Sequence, residues 1–305
     1  MKIVAFSDLD ATLLDPETYS WKPAERAIEA LRIRDASLVM VTSKTLVEVK
    51  PLHEELGFDD PFVIENGGGI AFHKGAPLGE YLLSIQSEIM EFHRAGFAVL
   101  AFGARYEVLV KSLAEIAAEV GAPLLGFSAM SLEEVTKATG LPVEQAAKAR
   151  VRLFDEPFLI PEGPKSLEAE IRSAAGLRGL HVVEGGRFWH LIGHAGKGKA
   201  VSVLLEAFQK RYGEVVSIGV GDSSNDFPFL HLVDIPVVLG NPLRSELGAS
   251  LPKGALRYEV LGPKGWNHAV LDILPLSSNL LRSNDTKERS NALQYRYPEL
   301  YQQAD

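Results

Sequence analysis

The sequence predicts an α/β protein in which a parallel-sheet core is interrupted by an inserted α+β domain. Two observations lead to this fold class. Short β-branched or aromatic runs alternate with segments of helical spacing over residues 1–70, and the same alternation returns between residues 199 and 239. Strands that alternate with helices are typical of a parallel sheet with helices on its faces. The segment between these regions lacks that order and is therefore expected to form a separate domain.

The first part of the predicted core contains three strands and two helices. Apolar or β-branched runs at 2–7, 37–41 and 62–64 predict the strands. Apolar residues at helical spacing predict helices over 23–33 and 46–56. Because helices separate successive strands, we expect all three strands to run parallel in one sheet.

The second part of the core repeats this pattern. A strongly amphipathic segment predicts a helix over 199–211, and a buried strand is predicted over 215–220. A short helix over 226–232 and a strand over 235–239 follow. These elements are expected to extend the same parallel sheet.

The middle of the chain mixes the two kinds of element without regular alternation. Helices are predicted over 113–120 and 132–139, and strands over 150–154, 180–184 and 188–192. Glycines and prolines on either side, near residues 75–79 and 193–198, indicate the crossings between domains. Residues after 275 are rich in Ser, Asn, Gln and charge, so we expect a polar, partly disordered tail with at most a short helix. The predicted division is a discontinuous core, an insert and a tail, at residues 1–79 with 193–275, 80–192 and 276–305.

The composition narrows the possible partners and chemistry. Hydrophobic residues make up 46% of the chain and charged residues 23%, which excludes the composition of a disordered protein. The formal net charge of −9 argues against nucleic acid and anionic membranes as partners. The absence of cysteine excludes disulfides, thiolate catalysis and cysteine-bound zinc. No apolar run approaches the roughly 20 residues of a transmembrane helix, so we expect a cytoplasmic protein. We expect it to be a monomer or a homodimer.

Two acidic clusters follow predicted strands. Asp8 and Asp10 come after the first strand, where alternation along the chain would direct both side chains to one side. Asp222 and Asp226 lie in a Gly-Asp-Ser segment whose glycines are expected to let the backbone turn sharply and approach a ligand. Carboxylates beyond the carboxyl ends of parallel strands can bind a hard cation or divide nucleophilic and acid–base work. For either cluster alone, a turn or helix-capping role is the alternative.

Hydroxyl and lysine side chains form two further candidate elements. Thr42, Ser43 and Lys44 follow the second predicted strand and precede a helix, which suits an anion cradle or a helix N-cap. Lys197 lies in the run GKGK, which lacks the spacing of a phosphate-binding P-loop. A nucleotide site is therefore not expected there, and a flexible lysine loop is the alternative.

In chain order, the segments DLDAT (8–12), VTSKT (41–45), Lys197 and GDSSND (221–226) resemble the four motifs of the haloacid dehalogenase-like phosphohydrolases. The resemblance implies a Rossmann-like core with an inserted cap domain, phosphatase activity and Mg²⁺ as cofactor. In this family Ala11 of the first motif is usually glycine, and we expect alanine to be tolerated there if its φ is negative.

The resemblance also implies roles for the matching residues. Asp8 would be the nucleophile and Asp10 the general acid and base, a choice that the residues alone leave open. Asp8, Asp222 and Asp10, the last through its backbone carbonyl, would bind Mg²⁺. Thr42 and Lys197 would hold the phosphate, and Asn225 would orient the site. Asp226 would support the site from behind the metal ligands.

Other segments narrow the resemblance. The run ENGGG (65–69) resembles the Cof-like capped sugar phosphatases, and LGF (125–127), RLFDEPF (152–158) and GGRFWH (185–190) resemble the mannosyl-3-phosphoglycerate phosphatases. The substrate implied is a small phosphorylated glycoside, mannosyl-3-phosphoglycerate, from mannosylglycerate (compatible-solute) biosynthesis. The alternatives are glucosyl-3-phosphoglycerate or another sugar phosphate, a phosphomutase and a non-catalytic binding module.

Substrate specificity is expected to belong to the insert and to segments beside it. Arg152 is a candidate for binding the substrate, and the alternative is that it pairs with Asp155 or Glu156. For His190 the alternative to substrate binding is packing within an aromatic strand. The predicted substrate-binding residues are Ser43, Lys44, Asn66, Gly67, Arg152, Arg187 and His190.

Overall fold

The computed structural model describes residues 1–85, 88–92, 96–160, 166–185, 187–194, 196–240 and 251–280. The chain divides into two compact units. The first unit contains residues 1–42 and the part of the chain from residue 201 onward, and the second contains residues 43–200. These limits differ from the boundaries at 79/80 and 192/193 that the sequence suggested for the core and the cap, which stay a prediction.

Helices and strands occur in both units. The strands are, in chain order, β1 (Lys2–Ser7), β2 (Ser37–Met40), β3 (Phe62–Ile64), β4 (Gly69–Phe72), β5 (Glu88–Phe92), β6 (Phe97–Ala101), β7 (Leu125–Gly126), β8 (Asp155–Leu159), β9 (His181–Glu184), β10 (Trp189–Ile192), β11 (Val215–Gly221), β12 (Ile235–Leu239) and β13 (Leu256–Tyr258). The α-helices are α1 (Glu25–Ile33), α2 (Leu46–Leu56), α3 (Gly79–Ser84), α4 (Tyr106–Val120), α5 (Leu132–Thr139), α6 (Val143–Ala149), α7 (Ser166–Leu177), α8 (Lys197–Tyr212), α9 (Phe227–Leu230) and α10 (Gly262–Leu280).

The first unit is built on a five-stranded parallel sheet in the order β13-β12-β11-β1-β2. Its central strands are almost wholly buried, since both faces of a parallel sheet are covered. Helices α1 and α10 pack against each other, and the Asn267 side chain accepts a 3.1 Å hydrogen bond from the Ala27 backbone. The predicted α/β class is thereby confirmed.

The third predicted strand is not part of this parallel sheet. Strand β3 pairs antiparallel with β4, in a four-stranded sheet of order β3-β4-β6-β5 in the second unit. The expectation of a third parallel strand was wrong: β3 pairs with β4, to which the chain reverses directly after Ile64. Glu65, Asn66 and Gly67 have φ values of 48°, 56° and 89°, and this tight left-handed turn joins β3 to β4 in an antiparallel hairpin.

A second antiparallel sheet of order β7-β8-β10-β9 lies in the same unit. Leu109 and Ile116 of α4 and Ile171 of α7 are fully buried in the hydrophobic core that includes Phe158 and Leu191 of this sheet.

The predicted strand over 150–154 was wrong, because β8 starts at Asp155. The backbone N–H groups of Leu153 and Phe154 donate to the side chain of Glu65 and not to a neighbouring strand.

Several helices differ from the prediction in extent. Helix α5 has the predicted bounds, whereas α4 begins seven residues earlier than predicted, at Tyr106. Helices α3, α6, α7 and α10 were missed. Helix α10 continues to Leu280, into the predicted tail, and the remainder of that tail lies outside the described residues. None of the helices in the described part of the chain combines the length and apolarity that a bilayer span requires.

We expect Trp266→Phe to lower the free energy of unfolding by about 1–3 kcal/mol. The Trp266 side chain is fully buried, and its Nε1 donates a 2.9 Å hydrogen bond to Ser7 Oγ at the end of β1. Phenylalanine removes this donor and leaves a void. Urea unfolding measures the loss. Ile33→Ala, at a side chain 74% exposed, serves as control, and an equal loss in both variants would contradict the role assigned to Trp266.

Candidate active site

The pairing of β1 with β11 brings two aspartates to the same edge of the parallel sheet. Ser7 lies opposite Val220, and the Asp8 backbone N–H continues the ladder with a 2.9 Å bond to the Val220 carbonyl. Asp222 follows the last residue of β11 directly. Since both strands run in the same direction, their carboxyl ends meet, and the residues that follow them lie close together.

Three carboxylates form a cluster at this edge. Oxygens of Asp8, Asp222 and Asp226 all lie within 4.8 Å of one another. Asp8 is only 7% exposed and Asp226 is fully buried, so their negative charges repel with little screening by water. A hard divalent cation with oxygen ligands, such as Mg²⁺, fits this set of donors and would offset the repulsion. The sequence suggested Asp8, Asp222 and the backbone carbonyl of Asp10 as metal ligands, with Asp226 behind them, and the third carboxylate of the observed cluster is that of Asp226.

Asp226 also shapes the loop that carries Asp222. Its Oδ2 accepts hydrogen bonds from the backbone N–H groups of Asp222 (3.1 Å) and Ser223 (3.2 Å) and from the Ser223 hydroxyl (3.2 Å). Gly221 makes this approach possible, because a Cβ at residue 221 would lie 2.6 Å from Asp226 Cβ. The expected sharp turn at the glycines was wrong, because Gly219 and Gly221 are regular residues of β11 without positive φ, and they serve to make room for side chains.

The turn after Asp8 supplies a contact that sequence reasoning missed. Thr12 is buried, and its Oγ1 donates a 3.2 Å hydrogen bond to Asp222 Oδ1. The backbone N–H of Thr12 donates to the Leu9 carbonyl at 3.2 Å, which closes the turn. The position of Thr12 in the DLDAT segment was the only available signal for this contact, since its partner lies 210 residues away.

Ala11, inside this turn, has a φ of 57°. The condition under which alanine was expected to be tolerated, a negative φ, is therefore not met. A left-handed conformation costs an L-residue with a Cβ roughly 1–2 kcal/mol. The Ala11 carbonyl accepts a 2.7 Å hydrogen bond from the Gly262 backbone, which helps to hold the residue in this conformation.

The other predicted residues of the first unit lie in loops of the same sheet. Thr42 is fully buried and lies two residues after the end of β2. The residue between them, Val41, donates a 2.8 Å backbone hydrogen bond to the Ser7 carbonyl. Asp10 is half-buried in the turn after β1. Asn225 is half-buried in a 3-10 turn over Ser224–Asp226.

In the second unit, Asp155 forms the centre of a buried polar network. Its carboxylate accepts a 2.7 Å hydrogen bond from Asn66 Nδ2 and lies 2.9 Å from His190 Nδ1 and 3.3 Å from an Arg152 terminal nitrogen. Burial alone would raise the pKa of the Asp155 carboxyl, but His190 and Arg152 outweigh burial and hold this pKa below its usual range.

Arg152 is tied to backbone carbonyls as well as to Asp155. Its Nε donates to the Asp155 carbonyl at 2.8 Å, and its two terminal nitrogens donate to the carbonyls of Ala149 (3.2 Å) and Ser43 (2.8 Å). The pairing with Asp155 that the sequence suggested as an alternative is therefore present, in the interior of the unit and not on its surface.

Glu65 is a second buried carboxyl of this network. It accepts backbone hydrogen bonds from Leu153 at 2.9 Å and Phe154 at 2.7 Å. Burial raises the pKa of Glu65 to about 7, although the positive charge of Arg152 opposes the increase. Sequence reasoning missed Glu65 as a separate residue, because nothing local to ENGGG indicates that its side chain binds a loop some 90 residues later.

The remaining predicted residues of the second unit occupy three places. Lys197 is 4% exposed and begins α8. Lys44 is half-buried, and its carbonyl accepts a 3.0 Å bond from the Glu65 backbone. Arg187 is exposed and donates to the Thr139 carbonyl, apart from the network around Asp155.

An acidic cluster beyond the carboxyl ends of parallel strands lies where α/β proteins place their ligand-binding sites. Residues 5–104 match the family model of the haloacid dehalogenase-like hydrolases. A glucosyl-3-phosphoglycerate/mannosyl-3-phosphoglycerate phosphatase of Methanococcoides burtonii is 35% identical over 282 residues, which is 92% of this chain and 100% of the relative. A mannosyl-3-phosphoglycerate phosphatase of Pyrococcus furiosus is 35% identical over 80% of this chain and 93% of the relative.

Solved structures agree on the fold. A Thermoplasma acidophilum protein matches with a TM-score of 0.61 and 20% identity, over 90% of this chain and 99% of the other. A haloacid dehalogenase-like hydrolase from Bacteroides thetaiotaomicron matches with a TM-score of 0.59 and 16% identity, over 90% and 100%. The chain belongs to the haloacid dehalogenase-like hydrolase family, in the branch whose curated members include these phosphatases, and it is a phosphoric monoester hydrolase.

We expect Gly221→Ala to lower both the free energy of unfolding, by about 1–3 kcal/mol, and the phosphatase activity. The added methyl group would displace Asp226, which holds the Asp222 loop. Gly176→Ala in α7 is the matched control, because a Cβ there meets nothing within 4 Å. We expect that control to retain activity and to be at least as stable as wild type. Retained activity in Gly221→Ala would contradict the role assigned to the close approach of Gly221 and Asp226.

We expect Glu65→Gln to change the pH dependence of stability. Because the folded state keeps a proton on Glu65 where the unfolded chain has lost it, the contribution of Glu65 to the unfolding free energy of wild type decreases from pH 4.5 to about 7. Glutamine carries no titratable proton, so the variant gains stability relative to wild type across this window and the difference is level above it. Urea unfolding at intervals of pH measures this difference.

The control for this measurement is Glu144→Gln. The exposed Glu144 carboxylate lies 2.9 Å from Lys148 Nζ, and their hydrogen bond lowers the pKa of Glu144. The contribution of Glu144 to stability is therefore lost as the pH falls, whereas that of Glu65 is lost as the pH rises. A difference between Glu65→Gln and wild type that does not vary with pH would show that Glu65 titrates normally.

Proposed function

We propose that the protein hydrolyses mannosyl-3-phosphoglycerate to mannosylglycerate and phosphate through an aspartyl-phosphate on Asp8. The observation that carries the proposal is the cluster of Asp8, Asp222 and Asp226 beyond two paired strands. The names of the Methanococcoides burtonii and Pyrococcus furiosus relatives support the class of substrate. Because the first of these relatives is named for both glycosides, glucosyl-3-phosphoglycerate is the second candidate substrate.

In the proposed first step, a carboxylate oxygen of Asp8 attacks phosphorus and forms a P–O bond while the bond to the glycerate oxygen breaks. Asp10 gives its proton to that leaving oxygen. In the second step, Asp10 takes a proton from water, whose oxygen attacks phosphorus. The P–O bond to Asp8 then breaks, and inorganic phosphate and the Asp8 carboxylate are released.

Two features support Asp8 over Asp10 as the nucleophile. The Asp8 carboxylate belongs to the acidic cluster, whereas the clustered oxygens do not include those of Asp10. Asp8 is also more buried than Asp10, so less water competes for its carboxylate. The half-buried side chain of Asp10 suits proton exchange with a leaving group and with water.

Mg²⁺ is the proposed cofactor, held by Asp8, Asp222 and Asp226 and the Asp10 carbonyl. When bound, it would reduce the repulsion between the attacking carboxylate and a phosphate dianion. The Thr42 hydroxyl and the Lys197 ammonium group are proposed to bind phosphate oxygens, where negative charge develops during the reaction.

The glycoside and glycerate groups need donors outside the phosphate site. Lys44 and Arg187 are proposed to supply positive charge for the glycerate carboxylate, since both retain some exposure to solvent. The guanidinium of Arg152 is already bound to Asp155 and to backbone carbonyls. We therefore propose that Arg152 supports the segment at Ser43 and does not bind the substrate directly.

We expect Asp8→Asn to reduce phosphate release from mannosyl-3-phosphoglycerate by at least about 1000-fold, because an amide is a poor nucleophile. Asp35→Asn is the matched control, since the Asp35 side chain is 97% exposed and lies on the surface. We expect EDTA to remove wild-type activity and added Mg²⁺ to restore it. A phosphate-release assay with both glycosyl-3-phosphoglycerates tests these points, and an active Asp8→Asn enzyme would exclude the proposed nucleophile.

A further inference from the structure

The turn at residues 65–67 is held in a conformation that the chain rarely adopts. Three successive residues, Glu65, Asn66 and Gly67, have left-handed φ values of 48°, 56° and 89°. Glycine adopts this conformation freely and asparagine tolerates it, but glutamate does not. Strained residues of this kind cost roughly 1–3 kcal/mol each and persist only where the surroundings impose them.

Side-chain hydrogen bonds on both sides impose this conformation. Asn66 Nδ2 donates to Asp155 Oδ2 at 2.7 Å, and the Glu65 carboxylate accepts from the Leu153 and Phe154 backbone. Asn66 and Asp155 are 1% and 0% exposed, so water cannot replace their hydrogen bond.

The turn is in close contact with the Gly196–Lys197 peptide, at the start of α8. A Cβ on Gly67 would lie 2.2 Å from the carbonyl carbon and oxygen of Gly196 and 2.6 Å from the backbone nitrogen of Lys197. Only glycine allows the two backbones to approach this closely. A displacement of the turn toward Gly196 would therefore move the peptide bond that precedes Lys197.

Asp155 is itself held in place by charge. His190 Nδ1 and an Arg152 terminal nitrogen lie 2.9 Å and 3.3 Å from its carboxylate. The aspartate is thus a rigid anchor for the amide of Asn66, since a buried carboxylate with these partners has no alternative position of similar energy.

We propose that Asp155 is a positioning residue for the phosphatase reaction: through Asn66 it holds the turn at 65–67 against the Gly196–Lys197 peptide and so fixes Lys197 for phosphate binding. The inference rests on the proposed function, in which Lys197 binds a phosphate oxygen. Neither Asp155 nor Asn66 needs to touch the substrate for this effect.

The first test variant is Asn66→Gly. Glycine keeps the left-handed backbone accessible and removes the hydrogen bond to Asp155. We expect kcat to fall by about 10- to 100-fold, as for other residues that orient a catalytic group. KM should change little, because Lys197 acts on charge that develops in the transition state.

A double-mutant cycle with Lys197→Ala tests whether the effect passes through Lys197. If it does, Asn66→Gly reduces kcat much less in the Lys197→Ala background than in wild type. If the two losses multiply, or if Asn66→Gly raises KM and leaves kcat unchanged, the proposal is wrong. Asp155→Asn gives a second cycle with the same expectation and applies if Asn66→Gly fails to fold by circular dichroism.

Ser131→Ala controls for loss of stability in the same unit. The Ser131 side chain caps α5 by accepting a 3.2 Å hydrogen bond from the Glu134 backbone, and its loss costs about 1 kcal/mol. We expect this variant to keep wild-type kcat, and an equal fall in kcat would assign the Asn66 effect to stability alone.

Failure of the proposed function gives a different result from failure of this inference. Wild type that releases no phosphate from either glycosyl-3-phosphoglycerate overturns the proposed reaction. A Lys197→Ala enzyme with normal kcat overturns the role of Lys197 and this inference with it. A low-activity Lys197→Ala enzyme on which Asn66→Gly has its full effect overturns the inference only.

Discussion

The parallel pairing of β1 with β11 is the interaction on which the acidic site depends. Its register places Ser7 opposite Val220, and the Asp8 N–H extends the ladder by one bond. Two chain segments more than 200 residues apart thereby deliver their aspartates to one edge of the sheet. The buried Trp266 side chain, bound to Ser7 Oγ, supports the end of β1 just before Asp8. The positions of the acidic side chains at this edge therefore depend on the backbone pairing of β1 with β11.

The sequence predicted the parts of the fold that depend on local patterns. Burial on both faces made β11 and β12 readable as apolar runs, and amphipathic spacing gave α2 and α5 their observed bounds. It did not predict that β3 pairs antiparallel with β4, because this pairing depends on a left-handed turn at Glu65 and Asn66 that propensity does not encode. The start of β8 was missed because a distant side chain takes up the N–H groups of Leu153 and Phe154.

The candidate site divides in the same way. Motif order identified Asp8, Asp222 and Asp226, and they form one cluster. The network around Asp155 was less visible, since Asn66 lies 89 residues from it. Buried ions are costly to isolate, and removal of one partner typically costs about 3–5 kcal/mol. Such a network selects one arrangement of its loops over others, and a list of sequence motifs contains no information about that selection.

The left-handed conformation of Ala11 also limits how this enzyme can vary. A φ of 57° is the mirror image of the helical conformation that L-residues prefer. A β-branched side chain would be strained there, whereas glycine, asparagine and aspartate are tolerated. The chirality of the amino acids therefore restricts substitution beside the proposed nucleophile to a few small or short polar residues. Sequence drift at this position is bounded by stereochemistry even where no contact with a substrate is made.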